Sequence, residues 1–260
     1  MKIHAVLLDI DGTLFAGQEP IAGAASTVRF LQDHNIPYRF LSNGTRRARR
    51  TVCQKLRRLN VPISEEQIFT PAIAAVRYLK ERGFVTCTLL ATKDLREDFI
   101  SGGISLREDA PVIVIGDAVD HFTYLTMNSA FRQIMKGALL IALEKDQYWR
   151  EEDGLSLGAG AFVAGLEFAS GVASVIMGKP SPDFFRMALQ SMDAEPETTL
   201  MVGDDICTDI GGAMSSGLIG ALVMTGKFRP ETLKVAIIRP DIVIPSIATI
   251  PDLLMHNHTC

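Results

Sequence analysis

Cysteine is scarce: Cys53, Cys87, Cys207 and Cys260 are the only four in 260 residues, and no two form a C-x-x-C pair. That spacing signals neither a disulfide framework nor a zinc site, and it suits a reducing compartment, the cytoplasm. Neither charge dominates. With 26 Lys and Arg against 30 Asp and Glu, the formal charge of -4 gives no global field toward nucleic acid or an anionic membrane. A small anionic substrate would need a local positive site. Long apolar runs are missing too. The opening MKIHAVLLDIDG is interrupted by Asp9 and Asp11 before a secretory apolar segment can form. The one candidate span, Gly158 to Gly178, carries five glycines and Glu167 at mid-depth, and reads instead as a buried helix followed by a strand.

What is present is alternation. Apolar runs of strand length recur at Ala5–Asp9, Tyr38–Ser42, Thr86–Ala91, Val112–Ile115, Leu139–Leu143, Ala173–Met177, Thr199–Gly203 and Ile219–Met224. Helical patterns stand between them at Ala24–His34, Arg47–Leu59, Ala72–Arg82, Phe122–Met135, Pro182–Met192 and Asp209–Ser216. This order predicts an α/β protein. The continuous runs VLL and VIVI predict parallel strands covered on both faces. A length of 260 residues suits two domains. Between Asn43 and Lys179 the chain has 135 residues, far more than one crossover needs, so an α/β domain at 82–176 is expected within a core formed by 1–81 and 177–260.

Polar residues follow directly on apolar runs, and in a parallel sheet such strand ends share the ligand-binding edge. D9-I-D11-G12-T13 places two carboxylates two residues apart, with Gly12 permitting a tight turn away. One carboxylate can attack phosphorus; the other can protonate the leaving group and later deprotonate water. Crowded acids need a cation, and oxygen ligands favour a hard divalent one. G203-D204-D205-I-C-T-D209 can finish the cage: Asp204 binds the ion, while Asp205 and Asp209 orient ligands or waters from behind. Asp205 suits the N-cap of the following helix equally well. Phosphoryl transfer also needs donors and positive charge, because its transition state spreads negative charge over the equatorial oxygens. Ser42, Asn43 and Gly44 offer a hydroxyl, an amide and close backbone approach, and Lys179 brings a mobile point charge. Pro180 restrains Lys179 to an extended conformation.

These four elements, in this order and spread over the whole chain, resemble the motifs of the haloacid dehalogenase superfamily. D204-D205 with D209-I-G-G-A, T225-G-K-F-R-P and L157-G-A-G-A-F are similar to the NagD-like branch, subfamily IIA, and most of all to its phospholysine phosphohistidine inorganic pyrophosphate phosphatase group. The resemblance implies a Rossmann-like core with an inserted α/β cap of the C2 type. It implies Mg2+ held by the side chains of Asp9 and Asp204 and by the backbone carbonyl of Asp11. It further implies hydrolysis of small phosphorylated molecules, whether phosphomonoester, P–N or pyrophosphate, through an aspartyl-phosphate on Asp9, with Asp11 and Lys179 catalytic. A phosphomutase, or a phosphate-binding regulator without turnover, is the alternative on the same scaffold. Ser42 stands where the family more often has Thr, and either hydroxyl can bond a phosphoryl oxygen. The expected partner is a small phosphorylated substrate, with no nucleic acid or membrane; the sequence leaves homodimerisation open.

Other features read more plainly. Arg46, Arg47, Arg49, Arg50, Arg57 and Arg58 suit a solvated helix face that could also steer anions. Tyr148, Trp149 and Arg150 mark a loop of the inserted domain, placed to touch substrate or to anchor the domain. Cys207 is expected to be a packed, inert thiol. His256, His258 and Cys260 belong to a frayed C-terminus.

Overall fold

The computed structural model describes residues 2–151 and 153–257; His258 and Cys260 lie outside the described residues, as does the Arg150 side chain. β1 (Ala5–Asp9) leads through a hairpin of β2 (Phe15–Ala16) and β3 (Glu19–Pro20) to α1 (Ala24–Asp33), β4 (Tyr38–Leu41), α2 (Arg49–Arg58) and β5 (Ile68–Phe69). Next come α3 (Pro71–Glu81), β6 (Thr86–Leu90), α4 (Arg96–Ser101), β7 (Ser105–Leu106), β8 (Val112–Ile115), α5 (Tyr124–Met135) and β9 (Leu139–Ala142). A hairpin of β10 (Tyr148–Glu151) and β11 (Gly154–Leu157), α6 (Ala159–Ser170) and β12 (Val175–Ile176) follow. The chain ends with α7 (Pro182–Gln190), β13 (Thr199–Gly203), α8 (Gly212–Ser215), β14 (Ile219–Val223), α9 (Pro230–Val235), β15 (Ile242–Ile244) and α10 (Ile250–Asn257).

Contacts divide the chain into two compact units. The first holds residues 1–42, 50–69 and 179–260, and the second 43–49 and 70–178. The sequence had suggested 82–176 for the insertion; the second unit also takes in α3, which packs against α4, and the segment Asn43–Arg49.

The first unit is built on a parallel six-stranded sheet ordered β15-β14-β13-β1-β4-β5. Every residue of β1, β13 and β14 is buried, as their unbroken apolar runs require of strands covered on both faces. Helical periodicity buries Ala24, Thr27, Val28 and Leu31 of α1. Val28 and Leu31 join Val6 and Leu8 of β1 and Leu254 of α10 in one core cluster.

The second unit has its own five-stranded sheet, ordered β12-β9-β8-β6-β7. A core of Ile113, Ile115, Leu140, Ile134 and Val163 binds α5 and α6 to it. The stretch read as a buried helix and strand gives α6 and β12, but α6 buries only one face: Ala159, Gly160, Val163 and Leu166 are buried while Phe168 is 93% exposed. No helix among the described residues is long and apolar enough to cross a membrane. Tyr148 and Trp149, expected in a loop, lie in the β10–β11 hairpin, whose antiparallel pairing matches Trp149 to Ser156.

Candidate active site

Parallel pairing brings the polar residues to one edge. Asp9 is the last residue of β1 and pairs with Leu41 of β4, so Ser42 emerges beside it; on the other side β13 ends at Gly203, directly before Asp204. Ser42 is buried, and its N–H donates to the Phe69 carbonyl at 3.3 Å. Lys179, just ahead of α7 and joined to Pro180 by a cis peptide bond, enters the same site. Its ammonium donates to Asp9 Oδ1 and to Asp209 Oδ1, both at 2.6 Å, with all three residues buried. Thr13 Oγ1 donates to Asp9 Oδ2 at 3.3 Å.

Carboxylate oxygens of Asp9, Asp204 and Asp209 lie within 4.8 Å of one another. Asp209, which the sequence reading sets with Asp205 behind the ion, stands within this acidic group. The reason is Gly203: a β-carbon there would stand 2.4 Å from Asp209 Oδ2. The Asp9 side chain is buried, whereas Asp11 is exposed and outside that group. After β1 the chain turns at Gly12, whose φ of 90° is open to glycine and whose N–H donates to the Phe15 carbonyl at 2.8 Å.

Asp205 is the N-cap. Its Oδ1 accepts from Cys207 N and Thr208 N, both at 3.0 Å, at the start of a π-helical turn over Ile206–Gly211 that continues into α8. Cys207 is exposed rather than packed.

The electrostatics follow from crowding. Burial, and after it the Asp209 carboxylate, raises the Asp9 pKa well above the ordinary aspartate value, against the pull of Lys179. Burial opposes the Lys179 charge, but Asp209 and Asp9 outweigh it and hold the ammonium protonated. Burial pushes Asp204 up to about 6, although Lys227 N donates to its Oδ2 at 2.6 Å. Three buried carboxylates against one ammonium leave uncompensated negative charge, and an all-oxygen donor set of this kind fits a hard divalent cation.

Two further positions, within the segment T225-G-K-F-R-P, adjoin the acidic motif. Gly226 and Lys227 follow β14, the strand next to β13. A β-carbon on Gly226 would stand 2.0 Å from Asp204 Oδ2, and the Lys227 ammonium pairs with Asp205 Oδ2 at 3.1 Å. A glycine one strand over from the acidic motif was the available signal.

Asn43 and Gly44 group with the second unit. There Gly178 lets the Asn43 Oδ1 come within 2.7 Å of where a β-carbon would lie. Arg46 is no part of a solvated helix face. It precedes α2, bonds Asp117 Oδ2 through Nε at 2.7 Å, and stacks 4.1 Å from the Trp149 ring centroid. His256 lies within α10, its Nδ1 2.6 Å from the Asp252 carbonyl.

A parallel-sheet fold with acids at its strand ends defines a class, and the comparisons agree with it. A family model described as haloacid dehalogenase-like hydrolase matches residues 6–105, and one described as HAD-hydrolase-like matches 176–250. The phospholysine phosphohistidine inorganic pyrophosphate phosphatase of Xenopus laevis is 38% identical over 99% of this chain and 97% of its own. Among solved structures, the p-nitrophenyl phosphatase of Archaeoglobus fulgidus superposes with a TM-score of 0.91 at 26% identity, covering 98% of this chain and 100% of that one. NagD of E. coli gives 0.87 at 26% identity, over 95% and 98% of the two chains. The chain belongs to the haloacid dehalogenase-like hydrolases, in their NagD-like subfamily IIA, and is a phosphatase of that family.

Proposed function

We propose that the chain is a magnesium-dependent phosphatase that takes the phosphoryl group of a small phosphorylated molecule onto Asp9 and passes it to water. The observation that carries this reading is Lys179, whose ammonium holds the carboxylates of both Asp9 and Asp209 at 2.6 Å within the acidic group. Asp9 Oδ2, which the Thr13 hydroxyl orients, forms the bond to phosphorus as the bond to the leaving oxygen breaks. Asp11, exposed and outside the buried group, protonates that oxygen. It then takes a proton from the water that attacks the aspartyl-phosphate, restoring Asp9. Lys179 and Ser42, with Asn43 and Gly44, balance and bond the phosphoryl oxygens. Asp9, Asp204 and the Asp11 carbonyl would hold Mg2+, with Asp209 beside them, and the ion would neutralise charge on the transferring group.

The inserted region at 82–176 is the part proposed to select the substrate. A phosphate offers only its oxygens to recognise, so telling one phosphometabolite from another requires contacts to the leaving group. The relatives' names point to phosphoester, phosphoramidate and pyrophosphate bonds. Orthophosphate release from p-nitrophenyl phosphate, a phosphoramidate and pyrophosphate, with magnesium and with EDTA, tests the proposal. Turnover restored by magnesium and poorly by calcium is expected; full activity in metal-free buffer would refute the metal role.

A further inference from the structure

We propose that the second unit carries a binding site for a small carboxylic acid that also bears an amide, built where the β6 edge loses its partner. β7 pairs with β6 only at Thr86 and Cys87. Arg107 N extends the ladder by one bond, to the Cys87 carbonyl at 3.0 Å. It stops there because the Arg107 carbonyl accepts the Thr88 hydroxyl at 2.8 Å. Strand alternation turns the N–H and C=O of Leu89 to the same side as those of Cys87, past the last rung. Among the described residues no loop or turn backbone bonds Leu89 there. The edge therefore offers an amide-sized donor and acceptor pair.

A cavity of about 390 Å³ adjoins this edge, lined among others by Thr88, Leu89, Arg96, Arg107, Ser129 and Gln133. That volume lies in the usual range for small-molecule pockets. Gln133, on α5, is only 5% exposed, and its amide meets the Thr88 hydroxyl at 2.8 Å. The hydroxyl has one proton for two acceptors, Gln133 and the Arg107 carbonyl, and already accepts from Ala110 N at 3.3 Å. The Gln133 amide, on the cavity lining, thus keeps hydrogen-bonding capacity beyond its bond with the Thr88 hydroxyl. Arg96 and Arg107 bring two guanidinium groups against one carboxylate, Glu108. Among the described residues neither side chain has an ion pair. Guanidinium groups complement a carboxylate, and an exposed strand edge and a side-chain amide complement an amide. Every one of these groups belongs to the second unit, and none to the acidic group of the first.

The test is an NMR titration of the 15N-labelled full chain with N-acetylglycine, which has one amide and one carboxylate. Acetate and N-acetylglycinamide serve as the probes lacking one group each. Saturable shifts of the Leu89 backbone and Gln133 side-chain amides are expected, with both control probes weaker by about tenfold and Arg96→Ala/Arg107→Ala weakening N-acetylglycine by a similar factor. The proposal is overturned if those two amides do not shift saturably, if acetate binds as tightly, or if the double variant binds as well as the parent.

Discussion

A β-carbon on Gly12 would stand 1.9 Å from Oδ2 of Asp204. Gly226 closes on the same oxygen, and its own β-carbon would come 2.6 Å from the Gly12 α-carbon, so backbone as well as side chain blocks any larger residue. Both glycines have positive φ, 90° and 58°. Asp204 is thus held between two turns that only glycine can make. Gly226→Ala should raise the magnesium concentration needed for half-maximal phosphatase activity by about tenfold or more, because it displaces a proposed ligand without removing it. An unchanged magnesium titration would show that Asp204 does not hold the ion.

Lys179 balances the buried charge of Asp9 and Asp209. Its removal in Lys179→Ala leaves Asp9 and Asp209 buried against each other, and breaking a buried pair in this way costs about 3–5 kcal/mol. Urea unfolding in EDTA should show that loss, and magnesium should recover part of it. Equal stability of variant and parent in EDTA would contradict the charge balance described for the site.

Glu144 gives the second unit a pH dependence. Burial pushes its carboxyl from the ordinary 4.5 up to about 7, although Asp146 N and Ala159 N donate to it at 2.9 and 3.3 Å. An acid with a raised folded pKa binds its proton more tightly when folded, so stability falls as pH rises between those two values. The full effect is on the order of 3 kcal/mol. Asp98, pushed by burial to about 6 where it accepts from Arg49 N, acts in the same direction at lower pH. Glu144→Gln should flatten the fall in unfolding free energy between pH 5 and pH 8; superimposable profiles would contradict the assignment.

Trp149 supports the face of Arg46 while Asp117 fixes its edge. Trp149→Ala should therefore change relative kcat/KM among phosphoesters, phosphoramidates and pyrophosphate by more than it changes the magnesium requirement. A uniform loss on all substrates would make the hairpin a structural support and not a selector.

Much of the first unit was legible because its strands are continuous apolar runs. β1 and β13 fall on the expected residues, and the sheet delivers Asp9, Ser42 and Asp204 to one edge through parallel pairing alone. What was less legible depends on shape. Asp209 joins the acidic group because Gly203 makes room, and a sequence records a glycine without recording what it admits. The hairpin over Tyr148–Leu157 lacks a buried apolar face, with Tyr148, Leu155 and Leu157 all exposed, so alternation gave no signal. Arg46 looked like one of six similar residues until Asp117, 71 positions away, supplied its partner.

The central claim is that Asp9 carries the phosphoryl group. Acid-quenching the enzyme during turnover of p-nitrophenyl phosphate and reducing it with borohydride converts an acyl-phosphate to the corresponding alcohol, which peptide mass spectrometry can locate. The account predicts homoserine at position 9, dependent on magnesium and absent without substrate. Homoserine at another aspartate, or none while phosphate is released at full rate, would contradict it.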